Sequence, residues 1–118
     1  MPDLISALRQ LGKLRPERQT HVLVWLEQRS RLRGIDRGGV FMWLLALARE
    51  ERMGVTIEQN EPETDGTTTT EVVVWRWHRE PSGGLTPHKV ELAHADHDDT
   101  TTALALAITA ALSRPEGA

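Results

Sequence analysis

The chain has 118 residues, no cysteine and a formal net charge of -3. That length suits one domain with a core of ordinary size, and the missing thiols exclude a disulfide framework, a thiolate zinc site and cysteine nucleophiles together. Up to Met53 ten bases face six acids, and from Gly54 onward four bases face eleven, so a basic helical half should join an acidic sheet half, a dipole able to steer a charged partner or drive head-to-tail self-association; a homodimer is among the states expected.

Leu4, Ile5, Leu8 and Leu11 recur at helical spacing up to Gly12, which predicts a short amphipathic helix with a glycine terminus. Pro16 suits the first turn of a second helix. From Glu17 to about Arg33 that helix carries Val22, Leu23, Trp25, Leu26 and Leu32 on one broad apolar face, and Gly34 ends it. The arginines Arg29, Arg31 and Arg33 fall in its last turn, where cations meet the negative end of the helix dipole.

Asp36-Arg37-Gly38-Gly39 reads as a hinge or turn. The next helix, roughly Val40 to Arg52, is apolar along Phe41, Leu44, Leu45, Leu47 and Ala48 and should be the central core helix, capped by Gly54. Val55 to Gln59 alternates like a half-buried strand, with Val55 and Ile57 expected under helices. A Pro-, Asp-, Gly- and Thr-rich connection from Asn60 to Thr70 leads to Glu71–His78, the strongest β signal in the chain. Pro81-Ser82-Gly83-Gly84 turns the chain back into a weaker strand, His88 to Ala95, with Val90 and Leu92 expected on the covered face. Asp99 or one of Thr100 to Thr102 should cap a last helix, Ala103 to Leu112, lined by Leu104, Ala107, Ile108, Ala111 and Leu112. The expected fold is α+β: an N-terminal helical pair followed, from Gly39 to Ser113, by α-β-β-β-α around a three-stranded antiparallel sheet.

From Leu44 to Leu112 the chain resembles the small phage ABA-sandwich domain of tailed-phage genomes. The cues are Leu45-Ala46-Leu47-Ala48 before the first strand, Trp75 and Trp77 on the second, and the Ala/Leu-rich run from Ala103 to Leu112. The resemblance implies a phage or prophage setting, whose small proteins bind host machinery or blunt host defences, anti-CRISPR proteins among them. The same order of elements also looks like a double-stranded RNA-binding domain, which places lysines at the start of its last helix to neutralise phosphates. Here that place holds Asp96, Asp98, Asp99 and three threonines, so repulsion replaces attraction.

No catalytic motif is present. His21, Ser30 and Ser82 lack a Gly-x-Ser-x-Gly elbow, and the expectation is a protein that is not an enzyme and needs no cofactor. His94, Asp96, His97, Asp98 and Asp99 are metal-ligand types, with His78 or His88 as further donors, but helix capping already accounts for the carboxylates. Trp75 and Trp77 share a strand face with Val73, opposite Val72, Val74, Arg76 and His78. They read either as core under a helix, with both faces of the strand covered, or as an aromatic anchor at an interface. Trp25 and Trp43 are expected in the core of the helical half.

The functional expectation is therefore stoichiometric binding to a host or defence-system protein. The alternative is a nucleic-acid-binding regulator using Arg29, Arg31, Arg33 and Arg37. The start of the chain lacks a basic n-region followed by an apolar run, and no stretch reads as a membrane span; a cytoplasmic protein is expected.

Overall fold

The computed structural model describes residues 3–32, 36–78 and 88–114, with side chains at 28–32 excepted. The expected ends and turn at Arg33, Gly34 and Pro81 to Gly84, and the residues after Arg114, lie outside the described residues.

Helix α1, Leu4–Leu14, starts at Asp3, whose carboxylate accepts the Ser6 amide at 2.8 Å. It does not stop at Gly12. The Arg15 amide still bonds the Leu11 carbonyl at 2.9 Å, and Gly12 is buried within the helix. A 3-10 turn, Pro16–Arg18, leads into α2, Gln19–Leu32. On α2 only Val22 is buried among the expected facial residues whose side chains are described; Trp25 and Leu26 are partly covered and Leu23 is 56% exposed, so its apolar face is narrower than the sequence predicts.

Asp36-Arg37-Gly38-Gly39 is the start of a helix rather than a hinge. Asp36 accepts the Gly39 amide at 3.0 Å and so caps α3, Arg37–Glu50. A side-chain cap of this kind satisfies an amide left orphaned by the first turn and offsets the cost of two glycines. Trp25 packs within 3.0 Å of where a Gly39 Cβ would sit, which brings α2 against α3. After α3 the chain reverses through Arg52, at φ 60°, so the left-handed residue is an arginine and Gly54 opens the first strand instead of capping the helix.

Strands β1 (Gly54–Gln59), β2 (Thr70–His78) and β3 (His88–His97) form a sheet in the order β1-β2-β3, antiparallel throughout. The register slips between Val74 and Trp75, where β3 inserts Leu92 as an extra residue. Such a bulge bends a strand locally. Helix α4, Thr100–Leu112, is capped by Asp99, which accepts from the Thr102 amide at 3.1 Å and its hydroxyl at 2.5 Å.

One face of the sheet is covered. Val72 and Val74 are fully buried beneath α4, and α4 is in turn packed against α1 and α3, so it is buried nearly all round: Ala103, Leu104, Ala107 and Ile108 are all at 0% exposure. Leu8, Leu11, Val40, Leu44 and Leu47 complete the same core cluster from the helical side, with Leu45 only packed against its edge. The central helix is therefore α4, not α3 as the sequence led one to expect. Along the hairpin the cover runs out: Ile57 is 39% and Val90 37% exposed, although both lie on the covered side by register.

Two ion pairs clamp the helical half. The Arg15 guanidinium donates to Glu51 at 2.6 and 3.3 Å, tying the ends of α1 and α3, and Arg18 pairs with Glu50. The Glu51 carboxyl is held below its ordinary value chiefly by the hydrogen bond from Arg15, against the opposing effect of burial. The indole nitrogens of Trp25 and Trp43 are buried and find no hydrogen-bond partner among the described residues.

Candidate functional site

Among the described residues, no helix covers the face of the sheet opposite α4. Alternation along β2 puts Val73, Trp75 and Trp77 there, and the register adds Gly54, Thr56 and Glu58 from β1 with Lys89, Glu91, His94 and Asp96 from β3. The reading of both tryptophans as core under a helix is thus corrected. A single helical layer covers Val72 and Val74, and the tryptophans lie on the solvent side.

They are nevertheless ordered by contacts. The Trp75 ring lies over Gly54, so close that a Cβ at 54 would stand 2.2 Å from its Cζ2, and its Nε1 donates to the Thr56 hydroxyl at 3.1 Å. Trp77 meets it edge to face, ring centroids 5.2 Å apart, and stays 57% exposed. The Lys89 ammonium sits 4.3 Å from the Trp75 ring and 5.7 Å from that of Trp77, within cation–π range of both. The glycine is required by this close approach; a side chain at 54 would lift the indole off the sheet.

Acids lie along the face on the Glu71 side of the aromatic pair, while Arg49 and Arg52 share a groove with both rings. Glu58 lies opposite Glu71, and Glu71 opposite Asp96, so one rung of the sheet holds three carboxylates. Like charges directly opposite each other destabilise a sheet. Glu91 stands opposite Trp75. A shallow groove of about 350 Å³ runs between Thr56, Glu58, Glu71, Val73, Trp75 and Lys89. From Glu71 to Trp77 the face extends roughly 20 Å along the strand. Chemically it offers a rigid aromatic platform, four carboxylates and one lysine: a surface for an apolar or cationic segment and a poor one for phosphates.

Three of the four expected arginines have no described side chain. Arg29 and Arg31 lie on α2 with side chains outside the described residues, and Arg33 lies outside them altogether. Arg37 works within the fold: its Nε is 3.3 Å from Asp99, and its carbonyl accepts from the Thr101 hydroxyl at 3.3 Å, joining the starts of α3 and α4. Burial pushes the Asp99 carboxyl up, but the hydrogen bonds from Thr102 and the charge of Arg37 outweigh it and hold it below its ordinary value.

Of the candidate metal ligands, Asp99 is the helix cap, Asp96 accepts from Asn60 at 3.0 Å, and His97 Nδ1 accepts the Asp99 amide at 2.9 Å. His94 and Asp96 point to the open face, while His78 and His88 meet edge to face, centroids 5.3 Å apart, at the far end of the β2–β3 hairpin. Among the described residues no three His, Asp or Glu side chains are grouped to hold a metal ion. No described helix is long and apolar enough to cross a membrane.

Sequence reasoning named Trp75 and Trp77 but missed Gly54, Lys89 and the rung of acids. Their signal is register, which pairs residues across a long connection and a turn. No family model matches the chain, and no curated protein or solved structure of significant similarity was found.

Proposed function

We propose that this protein acts by stoichiometric binding, not turnover, and that it holds a partner protein against the open face of its sheet. The observation that carries the reading is the exposed Trp77, braced by Trp75 on Gly54, with Glu91 opposite Trp75 and the rung of Glu58, Glu71 and Asp96 further along the same face. Large rigid aromatics are enriched among residues that anchor interfaces, and the carboxylates ask for a partner segment carrying lysine or arginine beside an apolar side chain. Opposite charge speeds encounter, and apolar contact slows release. The resemblance to the phage ABA-sandwich domain supports a host or defence-system protein as the partner, in the manner of an anti-CRISPR inhibitor.

The nucleic-acid reading is less well supported, because Arg37 is engaged with Asp99 and the sheet face bearing the tryptophans carries four carboxylates. The two separate by salt. Binding to duplex DNA, to duplex RNA and to bacterial proteins retained by the immobilised chain should be measured across a salt series. The proposal expects a retained protein, modest salt dependence and loss of retention with Trp77→Ala. Sub-micromolar nucleic-acid affinity with a steep salt slope and no protein partner would overturn it.

A further inference from the structure

The two edges of the sheet are finished differently. On β3 the edge is blunted twice over, by the Leu92 bulge and by Arg114, whose guanidinium donates to the Glu91 and Leu92 carbonyls at 3.1 and 2.9 Å. Bulges and basic side chains laid on an edge are the usual means of preventing strand addition. Strand β1, the other edge, has neither: Gly54–Gln59 is regular against β2, contains no proline or lysine, and has no described strand beyond it. Alternate residues of an edge strand turn their amide and carbonyl groups outward. Ile57, 39% exposed, adds an apolar side chain at the same margin, and beside Gly54 and Val55 an open groove of about 490 Å³ reaches back to Leu45 and Ala48.

The charges around β1 are arranged end to end. Arg49 and Arg52 precede the strand, the acids between them, Glu50 and Glu51, being paired with Arg18 and Arg15, and Glu58, Glu61 and Glu63 close or follow it; the two arginines and these three glutamates are exposed. An antiparallel copy of the same strand inverts that order, so basic beginnings meet acidic ends on both sides of a two-fold axis. We infer that β1 pairs with β1 of a second copy of this chain, giving a symmetric dimer with one continuous six-stranded antiparallel sheet. With Thr56 on the axis, Ile57 of each copy faces Val55 of the other, and Arg52 approaches Asn60 and Glu61 of the other copy. An axis perpendicular to the sheet keeps both tryptophan faces on the same side. The dimer is then a two-site platform, able to hold a repeated or two-fold partner more tightly than one site would. The inference is independent of what occupies the tryptophan face, and sedimentation without any added partner reads dimerisation alone.

The test is sedimentation equilibrium of the full-length chain from about 1 to 200 µM, since a single strand pairing buries less area than a permanent dimer needs and should associate in the micromolar range. A monomer–dimer equilibrium is expected, with Ile57→Lys raising the dissociation constant at least about tenfold while leaving thermal unfolding unchanged at concentrations where both proteins are monomeric. Arg52→Glu and Glu61→Arg should each weaken the dimer, and the two together should restore it. A monomer at every concentration overturns the inference, as does a dimer indifferent to Ile57→Lys and to both charge changes.

Discussion

Trp75 rests on Gly54: the two are directly paired across β1 and β2, and the indole occupies the space where a side chain at 54 would be. A glycine that weakens a strand on its own here lets an aromatic ring lie flat along the sheet. The ring's Nε1 is thereby brought to Thr56, and Trp77 gains an edge to lean on. The exposed anchor is held in place by a residue with no side chain.

Gly54→Ala should therefore act on the aromatic pair more than on the core. The indole must move, losing its bond to Thr56, at a cost of about 1–3 kcal/mol for overpacking. The Trp75 indole N–H resonance should shift strongly while the methyl resonances of Leu104 and Ile108 stay in place. An unshifted indole resonance would mean that the ring does not lie on Gly54 in solution.

The core sits around α4, and substitutions should rank accordingly. Ile108, fully buried between the sheet and the helical layer, should cost about 2–4 kcal/mol on truncation to alanine. Leu45, at the rim, should cost clearly less. Urea unfolding of the two variants checks the order, and equal losses would place the rim of the core elsewhere.

Much of this layout was legible in the residues. The runs from Val55, Glu71 and His88 announced three strands, and Asp99, with Thr100 to Thr102 beside it as alternatives, announced the cap of the last helix. Which face of β2 is covered was not legible, because Val72 and Val74 on one side and Val73, Trp75 and Trp77 on the other are both apolar. Size favoured the tryptophans as core; what decided otherwise is that α4, apolar all round, takes the small Val72–Val74 side and leaves no described helix to cover the other. The acid rung of Glu58, Glu71 and Asp96 was equally hidden, since its members come from three strands and meet only once register is set. Asp36 was misread through its neighbours: two glycines suggest a hinge, yet the aspartate captures the Gly39 amide and starts a helix over them.

Acid should loosen the junction of α3 and α4. The Asp99 carboxyl is held below its ordinary value of 3.8, so the folded state binds the proton less readily than the unfolded chain. The stability it contributes is complete above that value and is lost as pH falls through the lower folded one. Asp99→Asn keeps a capping oxygen but removes the charge facing Arg37 and the helix start. It should cost about 0.3–1 kcal/mol near pH 7, and the difference from the parent should vanish in strong acid. Urea titrations at neutral pH and well below pH 3.8 measure both; a gap that persists at low pH would show that the charge is not what the cap contributes.

The central claim is that Trp77 anchors a protein on the open face of the sheet, and the dissociation rate of the captured partner from Trp77→Ala tests it most directly. The side chain is 57% exposed and outside the core cluster, so the variant should unfold at the parent's temperature. The account predicts release at least about tenfold faster than from the parent, with association changed far less, as for an anchor residue at an interface. Release at the parent's rate from a folded Trp77→Ala would contradict it and move the binding surface off this face.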